Sequence, residues 1–275
     1  MKKLMIWIMD AFEWMFDFKD WKMLLRSIPA VVVALLVVCT VTMNLAANKI
    51  VWSGLKIGEN YFISITGGLF LSWAVFLIMD MVTKTFGGKA AIKLTLFAAV
   101  INTIAILFLG LIASIPSDFP FPGASASFDI VFGFTGQGVQ PWQILISSTF
   151  AYIVSGVVNA IVNVFIGRLF VHNPDGKGAF IARSYISTMF GQFVDNFIFT
   201  ALAFSFFAHY YGLQTVLGMA IIGALVELFC EIVFSPIAYR KCKKWQQEGV
   251  GNDYFNYCKK MELVKDPSRF EYNER

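Results

Sequence analysis

The chain has 275 residues, of which 57% are hydrophobic and only 15% charged, with 29 phenylalanines and a formal net charge of +4. Soluble domains carry about 25% charged residues, so the composition excludes an ordinary soluble globule and points to a polytopic helical membrane protein. The small positive excess gives no case for nucleic acid, because basic residues in a membrane protein mark its cytoplasmic side.

Residues 1–27 read as an amphipathic helix on the cytoplasmic face. Asp10, Glu13, Asp17 and Asp20 recur at helical spacing, and Trp7, Trp14 and Trp21 repeat every seven residues beside them. Tryptophan at headgroup depth suits a helix lying on the inner leaflet, either as a simple anchor or as a docking face for a partner. The interrupting acids and the missing small-residue cleavage site argue against a signal peptide.

A helix needs about 20 apolar residues to cross the hydrocarbon core. Six segments meet that requirement: roughly 28–47, 62–83, 92–115, 143–171, 184–209 and 214–238. Together they define a six-helix transmembrane domain over 28–239, followed by a basic polar tail over 240–275. Between the third and fourth segments runs a Pro-, Gly- and Ser-rich loop with no Lys or Arg, which divides the chain into two halves. Of the 22 Lys and Arg, only Lys49 and Lys56 fall on one side of this arrangement, so both termini are expected to be cytoplasmic.

Ionisable groups inside a bilayer cost several kcal/mol unless satisfied, which makes them functional candidates. Asp80, Asp195, Glu227 and Glu231 qualify. Asp195 lies twelve residues after Arg183, about 18 Å along a helix, while Glu227 and Glu231 share one helical face. Asp80 also suits an interfacial acid paired with Lys84 or Lys89, and Arg183 an interfacial anchor. The amides Asn44, Asn48, Asn159, Asn163 and Gln192 add polar groups to the apolar runs. Asn44 and Asn159, Asn48 and Asn163, and Asp80 and Asp195 are each separated by 115 positions, a pattern that fits two inverted three-helix repeats with a site between them.

No nucleotide-binding loop and no nucleophile–base pair occurs. The four cysteines have no paired spacing and the two histidines stand apart, so neither a disulfide framework nor a metal site is expected. Carboxylates and amides without metal spacing suit binding of a small polar molecule among aromatic walls.

Four segments carry a resemblance. NLAANKI at 44–50, DMVTKTFG at 80–87, RSYISTMFGQFVDNFIF at 183–199, and Glu231 followed by Pro236 and Tyr239 are similar to the queuosine precursor transporters, also called the vitamin uptake transporter family. The resemblance covers about residues 30–245. Relatives often carry Lys where Glu227 aligns and an acid where Lys84 stands. The resemblance implies an inner-membrane importer of 7-deazaguanine bases or queuine, with no cofactor, no enzymatic activity and a lipid bilayer around it. Homo-oligomer formation stays open. Asp195 and Glu231 would accept the donor edge of the base, and Asn44, Asn48, Asn159 and Gln192 would meet its oxygen. The rival readings are a substrate-capture subunit of an energy-coupling-factor transporter, a transporter of another vitamin-like molecule, and a membrane enzyme or structural protein.

Overall fold

The computed structural model describes residues 17–57, 61–116, 128–134, 139–169 and 177–265. The first sixteen residues of the expected amphipathic helix and most of the loop between the halves lie outside the described residues.

Helix α1 (Phe18–Ser27) starts where the Asp17 side chain accepts hydrogen bonds from the backbone N–H groups of Lys19 at 3.0 Å and Asp20 at 3.2 Å. An N-terminal carboxylate satisfies donors that the first turn leaves unpaired. Pro29 ends the helix, since the residue before a proline is driven to extended geometry; Ile28 has φ −77° and ψ 136°. The chain then turns by 105° into α2 (Ala30–Ala46).

A correction follows α2. The second apolar run does not enter its helix at residue 62, and the chain is not wholly α-helical. Strands β1 (Ile50–Ile57) and β2 (Tyr61–Thr66) form an antiparallel hairpin, with Ile50 opposite Thr66, Ile57 opposite Tyr61, and a register shift between Trp52 and Leu55. Both stretches are rich in β-branched and aromatic residues, and polar residues break them every second or third position, which favours a half-buried strand over a helix. Helix α3 begins only at Leu69 and runs to Phe86. Its 18 residues still span about 27 Å.

Helices α4 (Gly88–Ala113), α5 (Pro141–Leu169) and α6 (Lys177–Thr200) follow, and a π-helical segment (Ala201–Phe207) continues α6. Helix α7 (Leu213–Gln247) runs past the expected end of the sixth apolar segment, through Pro236. The tail adds helix α8 (Asn252–Lys265). Each of the six expected apolar segments contains a helix. Among the described residues three helical stretches are long and apolar enough to cross a membrane, Ala90–Ala113, Thr188–Phe207 and Leu213–Gln247; the bent pair α1–α2 makes a fourth if counted as one span. On α4, Val100, Ile104, Phe108 and Leu111 form an exposed apolar stripe at helical spacing. A stripe of this kind is at home against lipid.

Packing divides the chain into two units. The first comprises 1–37, 77–98 and 235–275, and the second 38–76 and 99–234. In the first unit, α1 and α8 pack together. Lys93, wholly buried, forms an ion pair with Asp20, which is itself buried. Asp20 therefore faces protein, where the acidic stripe on its own suggested a polar outer face. The Cys258 Sγ lies 4.0 Å from Asp20 Oδ1. Burial, reinforced by Asp20 beside it, holds the Tyr254 phenol well above the usual tyrosine range, so it stays a neutral donor. The turn into α8 carries Gly249 at φ 68° and Gly251 at φ 93°, left-handed positions that favour glycine. A Cβ on Gly251 would stand 2.6 Å from the ring of Phe86, whose centroid is 6.0 Å from that of Phe255.

In the second unit the hairpin returns onto the end of α2. The Gly67 N–H donates to the Lys49 carbonyl at 2.6 Å. A Cβ on Gly67 would come within 2.7 Å of the Ala46 carbonyl oxygen, and one on Gly68 within 2.6 Å of that of Met43. This glycine pair lets the start of α3 lie directly against the last turn of α2. A cluster of Ala47, Val139, Ile144, Ala203 and Phe204, with Phe199 packed on it, forms the core of this unit.

Candidate functional site

The close approach at Gly67 and Gly68 brings Thr66, Leu69 and Ser72 beside Met43, Asn44 and Ala47 of α2. Helix α6 supplies Asp195, Asn196 and Phe199, α5 supplies Ser148 and α7 supplies Glu227, and these residues line a partly open cavity of about 60 Å³ that lies wholly within the second unit. Gln192, Asp195, Asn196 and Phe199 follow the i, i+3, i+4, i+7 spacing of one helical face. Phe199 also packs on the apolar core cluster, so that the polar face gives way to a hydrophobic wall one turn further on.

Both acids that line the cavity are held by neutral donors. The Ser155 hydroxyl donates to Asp195 Oδ1 at 2.9 Å, tying α5 to α6. The Ser72 hydroxyl hydrogen-bonds Glu227 Oε1. Asn196 Nδ2 donates to Glu227 Oε2 at 2.7 Å and to the Gln192 backbone carbonyl at 2.9 Å. Both partners of this amide nitrogen are acceptors, which settles the orientation of the Asn196 side chain. Glu227 is 2% exposed. Among the described residues, no Lys or Arg lines the cavity.

The geometry sorts the residues singled out by sequence. Asn44, Asp195 and Glu227 come together in the cavity. Glu231, buried, stands one turn beyond Glu227 on α7. Among the described residues, neither amide atom of the buried Gln192 has a hydrogen-bond partner, nor has the buried Asn48 Oδ1, and neither residue is among those that line the cavity. Asp80 belongs to the first unit. The side chains of Asn159 and Arg183 lie outside the described residues, although both positions fall within helices. Sequence reasoning missed Thr66, Ser72, Ser148, Ser155 and Asn196. Asn196 carried a usable signal, being a second polar residue beside Asp195 and one turn after Gln192. The hydroxyls carried none, since single Ser and Thr residues are common in apolar helices.

Gly223 makes the Asn196–Glu227 contact possible. It lies one turn before Glu227, and a Cβ there would stand 2.6 Å from Asn196 Oδ1 and 2.8 Å from its Cγ. Small residues allow such close helix–helix approach in membranes. Gly223→Ala should displace the amide from Glu227 and destabilise the protein by about 1–3 kcal/mol. Gly212→Ala, where a Cβ meets nothing within 4 Å, is the matched control. Melting of the purified protein in detergent compares the two. Equal melting temperatures would mean that α6 and α7 tolerate a wider spacing here.

Apolar helices long enough to cross a bilayer, carrying a small cavity lined by acids and amides, define the class as a multi-pass membrane protein. A family profile described as "Putative vitamin uptake transporter" matches residues 66–240. That is more than half of the chain, and the chain belongs to this family. Transport of a small molecule is thus its class of activity. No curated protein and no solved structure matches the chain.

Proposed function

We propose that this protein imports a queuosine precursor, a 7-deazaguanine base or queuine, across the cell membrane, with both termini in the cytoplasm. The observation that carries this reading is the pairing of two carboxylates, Asp195 and Glu227, with the amide of Asn44 around one cavity. A guanine-like edge offers an N–H and an amino group that one carboxylate accepts together, and charge-assisted bonds of this kind are about twice as strong as neutral ones. Its exocyclic carbonyl oxygen needs a donor, which Asn44 supplies. Phe199 provides a ring against which a planar base can pack. Gln192 and Glu231 border this face and serve as its second layer, with Asn48, Asn159, Asp80 and Arg183 as further candidates. The cavity of about 60 Å³ is smaller than the about 300 Å³ usual for ligand pockets, so the helices must separate to admit a base. Such opening and closing is what alternating access requires.

The test is uptake of labelled 7-deazaguanine bases by a precursor-auxotrophic bacterium that expresses the chain. Uptake above the background of the empty host is expected. Uptake that appears only when ATPase subunits are supplied would instead identify a capture subunit of an energy-coupling-factor transporter. No uptake of any such base, from protein shown to be in the membrane, would sink the substrate assignment.

A further inference from the structure

We infer that Asp195 and Glu227 together hold one exchangeable proton, which makes the cavity a proton site as well as a substrate site. The proton site stands on the geometry of the cavity; its coupling to substrate movement rests on the transport reading above.

Charge balance is the first argument. Among the described residues, those that line the cavity include two acids and no base. Around Glu227, α7 itself contributes Glu231 and Cys230, and α6 contributes Asp195. From α2 comes Asn44, from β2 Thr66, from α3 Ser72 and from α5 Ser148, all uncharged; Ser155 on α5 faces Asp195. An uncompensated charge within a bilayer costs several kcal/mol, and two carboxylates sharing one site do not both ionise. They titrate as a pair.

The hydrogen bonds at Glu227 argue against a metal cation there. Both oxygens of Glu227 already face an O–H or an N–H donor. The Asn196 amide is pinned by its second bond to the Gln192 carbonyl, so its oxygen is not free to turn toward a cation. Among the described residues no group of three His, Cys, Asp or Glu is placed to hold a metal ion.

Asn44 supplies an independent sign of a polar occupant. It is 5% exposed and brings a buried amide to the border of the same cavity. The cavity, about 60 Å³ in volume, is polar and roomy enough to hold water. Water there reaches both Asn44 and the acids and carries the proton to and from them. In one cycle a carboxylate oxygen takes a proton from water on the outer side and returns it to water on the inner side. The second carboxylate, left ionised, accepts the donor edge of the substrate.

Infrared spectroscopy of the purified protein tests the proton site without any substrate. At neutral pH the wild type should show the C=O stretch of one protonated carboxyl, absent from the double variant Asp195→Asn/Glu227→Gln and unchanged when choline is replaced by sodium. Should the double variant not fold, each single variant is read in the same way, and both must shift or remove the band because each deletes one of the sharing groups. A wild type without the band, a band unmoved by all these variants, or a band removed by sodium would overturn the proposal. For coupling, proteoliposomes receive labelled 7-aminomethyl-7-deazaguanine under a gradient of one pH unit, alkaline inside. One proton per substrate supports up to about tenfold accumulation. Accumulation driven by sodium instead would overturn the coupling. Absence of any uptake with the carboxyl band intact would leave the proton site standing and sink the substrate reading.

Discussion

Replacing Lys93 with Met should cost the protein about 3–5 kcal/mol of stability, the usual penalty for removing one partner of a buried ion pair. Lys93 is wholly buried and Asp20 is 7% exposed, and they meet across the first unit. Methionine nearly preserves the volume of the lysine stem, so packing is a small part of the loss. The larger part is the Asp20 carboxylate, left buried with neutral neighbours, the Cys258 thiol and the Tyr254 phenol. Taking out both charges, as Lys93→Met with Asp20→Leu, should recover most of the stability, because a matched apolar pair carries no desolvation cost. Melting of the purified variants in detergent measures both effects. A single variant as stable as the wild type would show that the pair is hydrated and contributes little to holding α1 in this unit.

Asp195→Asn should weaken binding of a 7-deazaguanine base by roughly 5- to 150-fold, which corresponds to about 1–3 kcal/mol for a buried donor left unpaired. The Ser155 hydroxyl donates to Asp195 Oδ1. An asparagine keeps that bond by turning its oxygen to Ser155, and then presents an N–H where the ligand also presents an N–H. The substitution leaves the size of the side chain unchanged and removes a charge from the membrane interior, so folding should survive. Affinity and melting temperature measured on the same preparation separate the two roles. Unchanged affinity in well-folded protein would take Asp195 out of the site, whereas a lowered melting temperature with intact affinity would make it a link between α5 and α6 only.

The hairpin shows where a sequence reading reaches its limit. Only Gly67 and Gly68 separate residues 62–66 from the apolar helix that follows, and a short apolar run is compatible with either a strand or a buried helix. The pairing with Ile50–Ile57 decides the matter, because each strand satisfies the other's backbone groups. The N-terminal stripe shows a different limit. Helical spacing placed Asp17 and Asp20 on one face, but could not say that this face meets Lys93, 73 positions further along the chain.

What the sequence by itself determined is the set of apolar helices and the identity of the acids within them. The cause is local: a segment in hydrocarbon must close its own backbone hydrogen bonds, and a carboxylate there stands out against its neighbours. Asp195 and Glu227 were legible for that reason, as was the resemblance that anticipated the family. Only the tertiary structure decided what those acids touch. The hydrogen bonds that define the cavity join Ser72 to Glu227, Ser155 to Asp195 and Asn196 to Glu227 across 155, 40 and 31 positions. Their formation depends on glycines at 67, 68 and 223 that bring helices within reach of one another. Contacts of that kind are set by how closely backbones approach in space, and neither periodicity nor composition encodes that distance.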